Sequence, residues 1–183
     1  MLLSRIANAL DGGETKSMKN QAGTIKLDQL DIKILDKLQT DARITNQELA
    51  DAVGLSPSPC LQRMKRLEKA GVIASYRVQI DLHAICRHVD VICAVTLKSH
   101  GLEDFANFER TIAGLQHVVE CTKVSGNIDY FVRFICPDIS SYQMLSDELL
   151  ELGPKVSNLA SHVVLKTVRP FAGVVLDDLV AAT

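Results

Sequence analysis

The chain has no tryptophan, and aromatics make up only 4% of its 183 residues. A ring platform for stacking single-stranded nucleic acid is thereby excluded. Charge of either sign is not in excess either: the net charge is −2. A uniformly basic nucleic-acid binder is ruled out, and any contact with DNA has to rest on local clustering of cations. The five cysteines, Cys60, Cys86, Cys93, Cys121 and Cys136, are odd in number and form no CxxC pair. That argues against a disulfide framework or a four-cysteine zinc site, and for a reducing compartment, the cytoplasm. No apolar run approaches the ~20 residues of a membrane helix. The N-terminal MLLSRIANALDGG is too weakly apolar for a signal peptide and lacks a small-residue cleavage pattern. GxSxG, Walker, HExxH and GxGxxG motifs are missing, so neither an enzyme nor a resident cofactor or metal is expected.

What is present is organised around Ser56–Gly71, SPSPCLQRMKRLEKAG. On a helix of about 100° per residue, Cys60, Leu61, Met64 and Leu67 share one side. Ser58, Gln62, Arg66 and Lys69 occupy the opposite side, with Arg63 and Lys65 flanking. Ser56 is placed to cap the start, Pro57 fits the first helical position and Gly71 ends the helix. A short helix with cationic donors on its free face suits the DNA major groove. The alternative is an amphipathic surface helix whose basic side meets water.

The neighbours favour the groove. Residues 1–24 read as a mobile arm, with Met18 as a second possible start. Asp28 caps a helix to about Thr40 that buries Leu27, Leu30, Ile34, Leu35 and Leu38. Thr45 opens a second helix with a Thr45–Glu48 capping box, and Gly54 ends it. With the basic helix these make a three-helix helix-turn-helix. Arg43 is expected to brace the turn before the second helix. VIASYRVQID after Gly71 reads as an extended strand or wing, with Arg77 available to phosphate.

The texture then changes. Strands are expected at Val89–Leu97, His117–Val124, Asp129–Cys136 and Leu159–Val168. A helix over Gly101–Leu115 shows Leu102, Phe105, Phe108, Ile112 and Leu115 on one face. A second from Asp138 shows Tyr142, Leu145, Leu149 and Leu152, and stops at Gly153-Pro154. The order βαββαβ is ferredoxin-like, with both helices on one face of an antiparallel sheet. The uncovered face predicts a sheet-to-sheet homodimer. The organisation is therefore an α+β chain: arm 1–24, winged helix-turn-helix 25–82, linker 83–88, ferredoxin-like domain 89–170 and tail 171–183. The tail adds a strand or packs on a partner. The HAICRH stretch, with His83, Cys86 and His88, has poor ligand spacing and reads as linker. Cys60, Cys121 and Cys136 read as small apolar core residues.

Two stretches, Leu27–Ile73 and VSGNIDYFVRF (Val124–Phe134), resemble the Lrp/AsnC family of leucine-responsive, feast/famine transcription regulators. The likeness spans about residues 25–170. It implies an N-terminal winged helix-turn-helix on double-stranded operator DNA and a C-terminal effector domain that binds a small molecule, an amino acid. It also implies dimers assembling to tetramers or octamers, and effectors held between effector domains near Gly126–Asp129. By position, Ser125, Gly126, Asp129 and Tyr130 match the family's motif, with Asn127 a further effector candidate inside the turn, and Val163 and Val164 match its late apolar pair. His162 stands where some relatives have tyrosine. Asp129 can meet an ammonium and the backbone near Gly126 a carboxylate. Alternatively, Gly126 supplies a positive φ and Asp129 caps its own backbone. For DNA, Ser58, Pro59, Gln62, Arg63 and Arg66 are the groove-facing candidates. Thr45, Ser56, Lys65, Lys69 and Arg77 are candidates for positioning the protein on the duplex through phosphates. The rival function is an amino-acid-sensing regulatory subunit that does not bind DNA.

Overall fold

The computed structural model describes residues 25–151 and 155–181. The arm 1–24 and the expected helix stop at Leu152–Pro154 lie outside them. The described residues divide into two compact units, one from 81–168 and the other from 25–80 together with 169–181.

The first helix of the head unit, α1 (Gln29–Thr40), starts in a reciprocal box. The Asp28 carboxylate accepts from Leu30 N at 3.0 Å and Asp31 N at 2.9 Å, while Asp31 accepts from Asp28 N at 3.0 Å. Helix α2 (Asn46–Val53) has the Thr45–Glu48 box and ends on Gly54 at φ 75°. Helix α3 (Pro57–Lys69) begins at Pro57 and is closed by Gly71 at φ 73°. Ile34, Leu49, Ala50, Cys60 and Leu67 are fully buried between the three. Burial of this kind contributes roughly 1.5–3 kcal/mol for each large apolar side chain.

Four expectations change here. Ser56 occupies the cap position of α3, but its hydroxyl makes no capping bond; Pro59, at the third helical position, lacks the N–H that such a cap would take. Leu61 is 40% exposed and does not join the core. Arg43 braces nothing with its side chain; instead Asp41 Oδ1 accepts from Arg43 N at 2.8 Å. The Val72–Asp81 segment forms no strand. β-branched residues favour extension, but a strand needs a ladder partner, and the described residues of this unit hold no other strand. Val78 and Ile80 are left exposed, while the Tyr76 hydroxyl donates to Glu68 at 2.9 Å.

The tail also differs. It adds no strand to the sheet: it packs on α1. Gln39 holds it at both backbone groups, Nε2 donating to Val174 O at 3.2 Å and Oε1 accepting from Val174 N at 2.8 Å. Gly173, at φ +97°, lets the chain approach, and a Cβ there would lie 2.8 Å from Gln39 Oε1. A short helix, α6 (Leu176–Ala181), follows, and Leu176 packs on the head's core.

The second unit is a four-stranded antiparallel sheet. Its strands are β1 (Val89–Leu97), β2 (Val118–Lys123), β3 (Tyr130–Cys136) and β4 (Val156–Val163), in spatial order β2-β3-β1-β4. Helices α4 (Leu102–Ala113) and α5 (Ile139–Glu151) cover one face. Alternation sends Val91, Cys93, Val95, Tyr130, Val132 and Phe134 under them, beside Phe108, Ile112, Tyr142 and Leu149. Leu102 was expected on that face but is 90% exposed, because it stands in the first turn of α4 beyond the sheet's cover. β4 starts three residues earlier than the sequence suggests and stops at Val163, where Val164 N makes a last bond to Asp90 O and β1 runs out. Among the described residues nothing covers the opposite face, which carries half-exposed Ile92 and Phe131 around an Asp90–Arg133 ion pair.

Candidate functional site

The free face of α3 forms the first site. Ser56, Ser58, Pro59, Gln62, Lys65 and Lys69 are exposed, as is Arg77 in the following segment. Asn46 fixes where α3 begins, donating through Nδ2 to Pro57 O at 2.9 Å.

The two arginines are held differently. Arg63 donates to Asp28 Oδ2 at 2.7 Å and Asp31 Oδ1 at 2.9 Å, and its side chain is only 27% exposed. Arg66 pairs with the other Asp31 oxygen, with 47% of its side chain still exposed. Asp31 itself is fully buried. A buried carboxylate needs partners, and these two guanidiniums supply them. Arg63 is thereby corrected from base readout to a strut between α3 and α1. Arg66 keeps part of its planar fork toward solvent. Hydrogen bonds from the Asp31 backbone, then Arg63, hold the Asp28 carboxyl below its ordinary range.

Thr45 is also corrected as a phosphate contact. Its hydroxyl donates to Glu48 at 2.7 Å and accepts from Glu48 N at 3.3 Å, so its proton is already used. Conversely Ser56, with no capping bond, has its hydroxyl free for phosphate.

The second site is the β2–β3 turn. Gly126 sits at φ +119°, a conformation that favours glycine. Val124 N bonds Asp129 O and Asp129 N bonds Val95 O, each at 2.9 Å, and Thr96 Oγ1 donates to Asn127 O at 3.3 Å. Asp129 does not cap its own turn. Its Oδ2 accepts from Leu97 N at 2.8 Å, and Oδ1 lies 3.2 Å from His100 Nε2. Ser125, Gly126 and Asn127 are exposed. Tyr130 is buried under α4 against Phe105 and Phe108, and donates to Glu109 at 2.7 Å. Burial first, then Glu109, raises its pKa above the ordinary range.

Not every expected effector residue lies at this turn. Asp129 bonds at Val95, whereas Val163 pairs with Val91, four residues along β1 and so about 13 Å away at ~3.3 Å per residue. His162 and Val163 also point to opposite faces. One protomer therefore does not gather the turn and the His162–Val164 stretch into one pocket. The open groove of about 480 Å³ lies elsewhere, between α4 and edge strand β2, lined by Glu109, Ile112, Leu115, Val118 and Cys121, with Tyr130 the only turn-motif residue among its walls. Lys123 also lines it, 3.4 Å over the Phe105 ring and 3.6 Å from Glu109. Cys121 is exposed rather than in the core, because β2 is an edge strand. Desolvation of its sulfur, then Glu109, pushes the thiol up to about 11.

Sequence reasoning missed Asp31, Glu109 and His100. Only Asp31 left a signal, an acid among the apolar positions of α1.

The sequence matches two family models, a winged helix-turn-helix DNA-binding model over residues 27–74 and an Lrp/AsnC ligand-binding domain over 90–174. The chain is 42% identical over 156 residues to the transcriptional regulatory protein DoeX of Halomonas elongata, covering 85% of this chain and 99% of that one. It is 38% identical over 143 residues to the leucine-responsive regulatory protein of Escherichia coli, covering 78% and 87%. Among solved structures, a transcriptional regulator of Neisseria meningitidis in complex with L-Met superposes with a TM-score of 0.78 at 29% identity, covering 84% and 99%. With its helix-turn-helix head and its sheet-and-helix second unit, the chain belongs to the Lrp/AsnC family of transcription regulators.

Proposed function

We propose that residues 25–82 read operator DNA through α3, that 83–88 link, and that 89–170 sense an amino acid and assemble the protein. Ser58, Pro59, Gln62 and the exposed part of Arg66 face base edges. Ser56, Lys65, Lys69 and Arg77 face phosphates. The effector meets Ser125, Gly126, Asn127 and Asp129 of one protomer and His162, Val163 and Val164 of another, because no single chain brings them together. Tyr130 supports the turn from beneath. The half-exposed Ile92 and Phe131 on the sheet face away from the helices support a sheet-to-sheet homodimer, which assembles further to a tetramer or octamer. The protein works in the cytoplasm and catalyses no reaction. An amino acid as effector is supported by the relative named for leucine and the structure bound to L-Met.

The observation that carries this is α3: a helix tied by Arg63 and Arg66 to the buried Asp31 of α1, with its polar and cationic face outward. The effector favours one arrangement of effector domains and so resets the spacing of the heads. Gel-shift titration against the DNA upstream of the protein's own gene, with and without a pool of amino acids, tests both halves. Log K should fall with log salt at about −0.9 per phosphate neutralised. Six cations in a dimer (Lys65, Lys69 and Arg77, twice) give a slope near −5. A complex indifferent to the pool rejects the effector assignment; no complex at low salt rejects the DNA-binding residues named.

A further inference from the structure

The Asp129 carboxylate does not stand open. Its Oδ2 is taken by Leu97 N at 2.8 Å, and the side chain is only 12% exposed. Oδ1 is the oxygen left for a ligand, and His100 Nε2 lies 3.2 Å from it. His100 is 60% exposed and sits in the loop between β1 and α4, with the Phe105 ring 5.9 Å away. The other charged groups nearby have partners of their own. Asp104 accepts from Ser99 Oγ at 2.7 Å and Gly101 N at 3.3 Å, with Lys155 at 3.8 Å.

We propose that His100 is a binding residue of the effector site: it takes the carboxylate of an α-amino acid whose ammonium goes to Asp129 Oδ1. This rests on the amino-acid function proposed above and assigns the residue that reads the acid end. His100 Nε2 and Asp129 Oδ1 face each other at 3.2 Å. An α-amino acid carries the complementary pair on one carbon, so it replaces one contact by two charge-assisted ones. The exposed imidazole turns outward to make room, while Asp129 stays fixed by Leu97. A bare amine leaves the imidazole donor unmatched, and a bare carboxylic acid leaves Asp129 unmatched, so the pair selects the zwitterion.

The test is equilibrium dialysis on the full chain with L-leucine, L-methionine and the amines that lack their carboxylates, 3-methylbutylamine and 3-(methylthio)propylamine. H100A should weaken the bound amino acid about tenfold and change the amine less than about twofold. H100Q, which keeps an N–H donor, should recover most of the preference, and its exposed position makes it a safe variant to fold. D129N should weaken amino acid and amine together. Equal loss of both ligands in H100A, as a merely structural role would give, overturns the inference. So does unchanged amino-acid binding, with the effector function left standing. A wild-type chain that binds neither amino acid overturns the effector function and the inference with it.

Discussion

Replacing Asp31 by alanine separates a strut from a reader. Asp31 is fully buried and serves three donors: Asp28 N, Arg63 and Arg66. Loss of its half of the α1 capping box costs about 0.5–1 kcal/mol. Loss of the half-buried Arg63 bond costs about 1 kcal/mol, less than a full charge-assisted bond, because Arg63 keeps Asp28 at 2.7 Å. Arg66, nearly half exposed, turns to water at a cost of about 0–1 kcal/mol. The smaller alanine leaves a void worth about another 1 kcal/mol. The sum is about 3 kcal/mol, confined to the head. Arg66→Ala should cost about 0.5 kcal/mol, since Asp31 retains Arg63 and the Asp28 backbone.

Peptide-resolved hydrogen exchange reads the head's opening free energy separately from that of the sheet unit. With Asp31→Ala, amides of α1 to α3 should exchange about a hundredfold faster, with little change in β1 to β4. Arg66→Ala should move them only about twofold while weakening specific operator binding far more than non-specific binding. An Asp31→Ala head within about 1 kcal/mol of wild type refutes the strut. So does an Arg66→Ala head as unstable as the Asp31→Ala one.

Other consequences follow from the same contacts. Lys69→Ala removes an exposed cation and no packing, so the log–log salt slope of a bound dimer should drop by about 1.8, with head stability unchanged. Asp28 is held below its usual 3.8, so its contribution is present above that value and lost as pH falls through the lower folded one; acid titration of head exchange should show this, flattened in Asp28→Asn. Gly173→Val places a Cβ against Gln39 at a positive φ, which should release the tail and raise exchange at the C-terminal end of α1, read by the same peptides.

Much of the fold was legible because its signals are local. The caps at Asp28 and Thr45 lie within three residues of their partners, and each produces the expected helix start. In the second unit β3 alternates cleanly, so its helix-covered face follows from period, while the antiparallel ferredoxin-like arrangement follows from the βαββαβ order of elements. The two arginines were misjudged because their partner is distant. Arg63 and Asp31 are 32 residues apart, and Arg66 and Asp31 are 35 apart, so a helical wheel counts both arginines as outward. The wing failed for the converse reason: its residues favour a strand, but no described segment of the head pairs with it. The tail's seat depends on Gln39, which lies 135 residues before Val174.

The effector site shows why resemblance located residues without assembling them. Motif matching puts the turn and the His162–Val164 stretch in one list, because both resemble the family's ligand-responsive positions. The register of β1 then separates them, with the turn bonded at Val95 and Val163 paired at Val91. A β-strand is too stiff to fold that distance away, so the effector site proposed above draws them from two chains. Under the proposed function, assembly through the face that carries Ile92 and Phe131 is a condition of sensing, not a separate property. It also explains how one small ligand could act on DNA. A molecule gripped by two chains is sensitive to their relative placement, and each chain carries one reading helix whose spacing must match the operator.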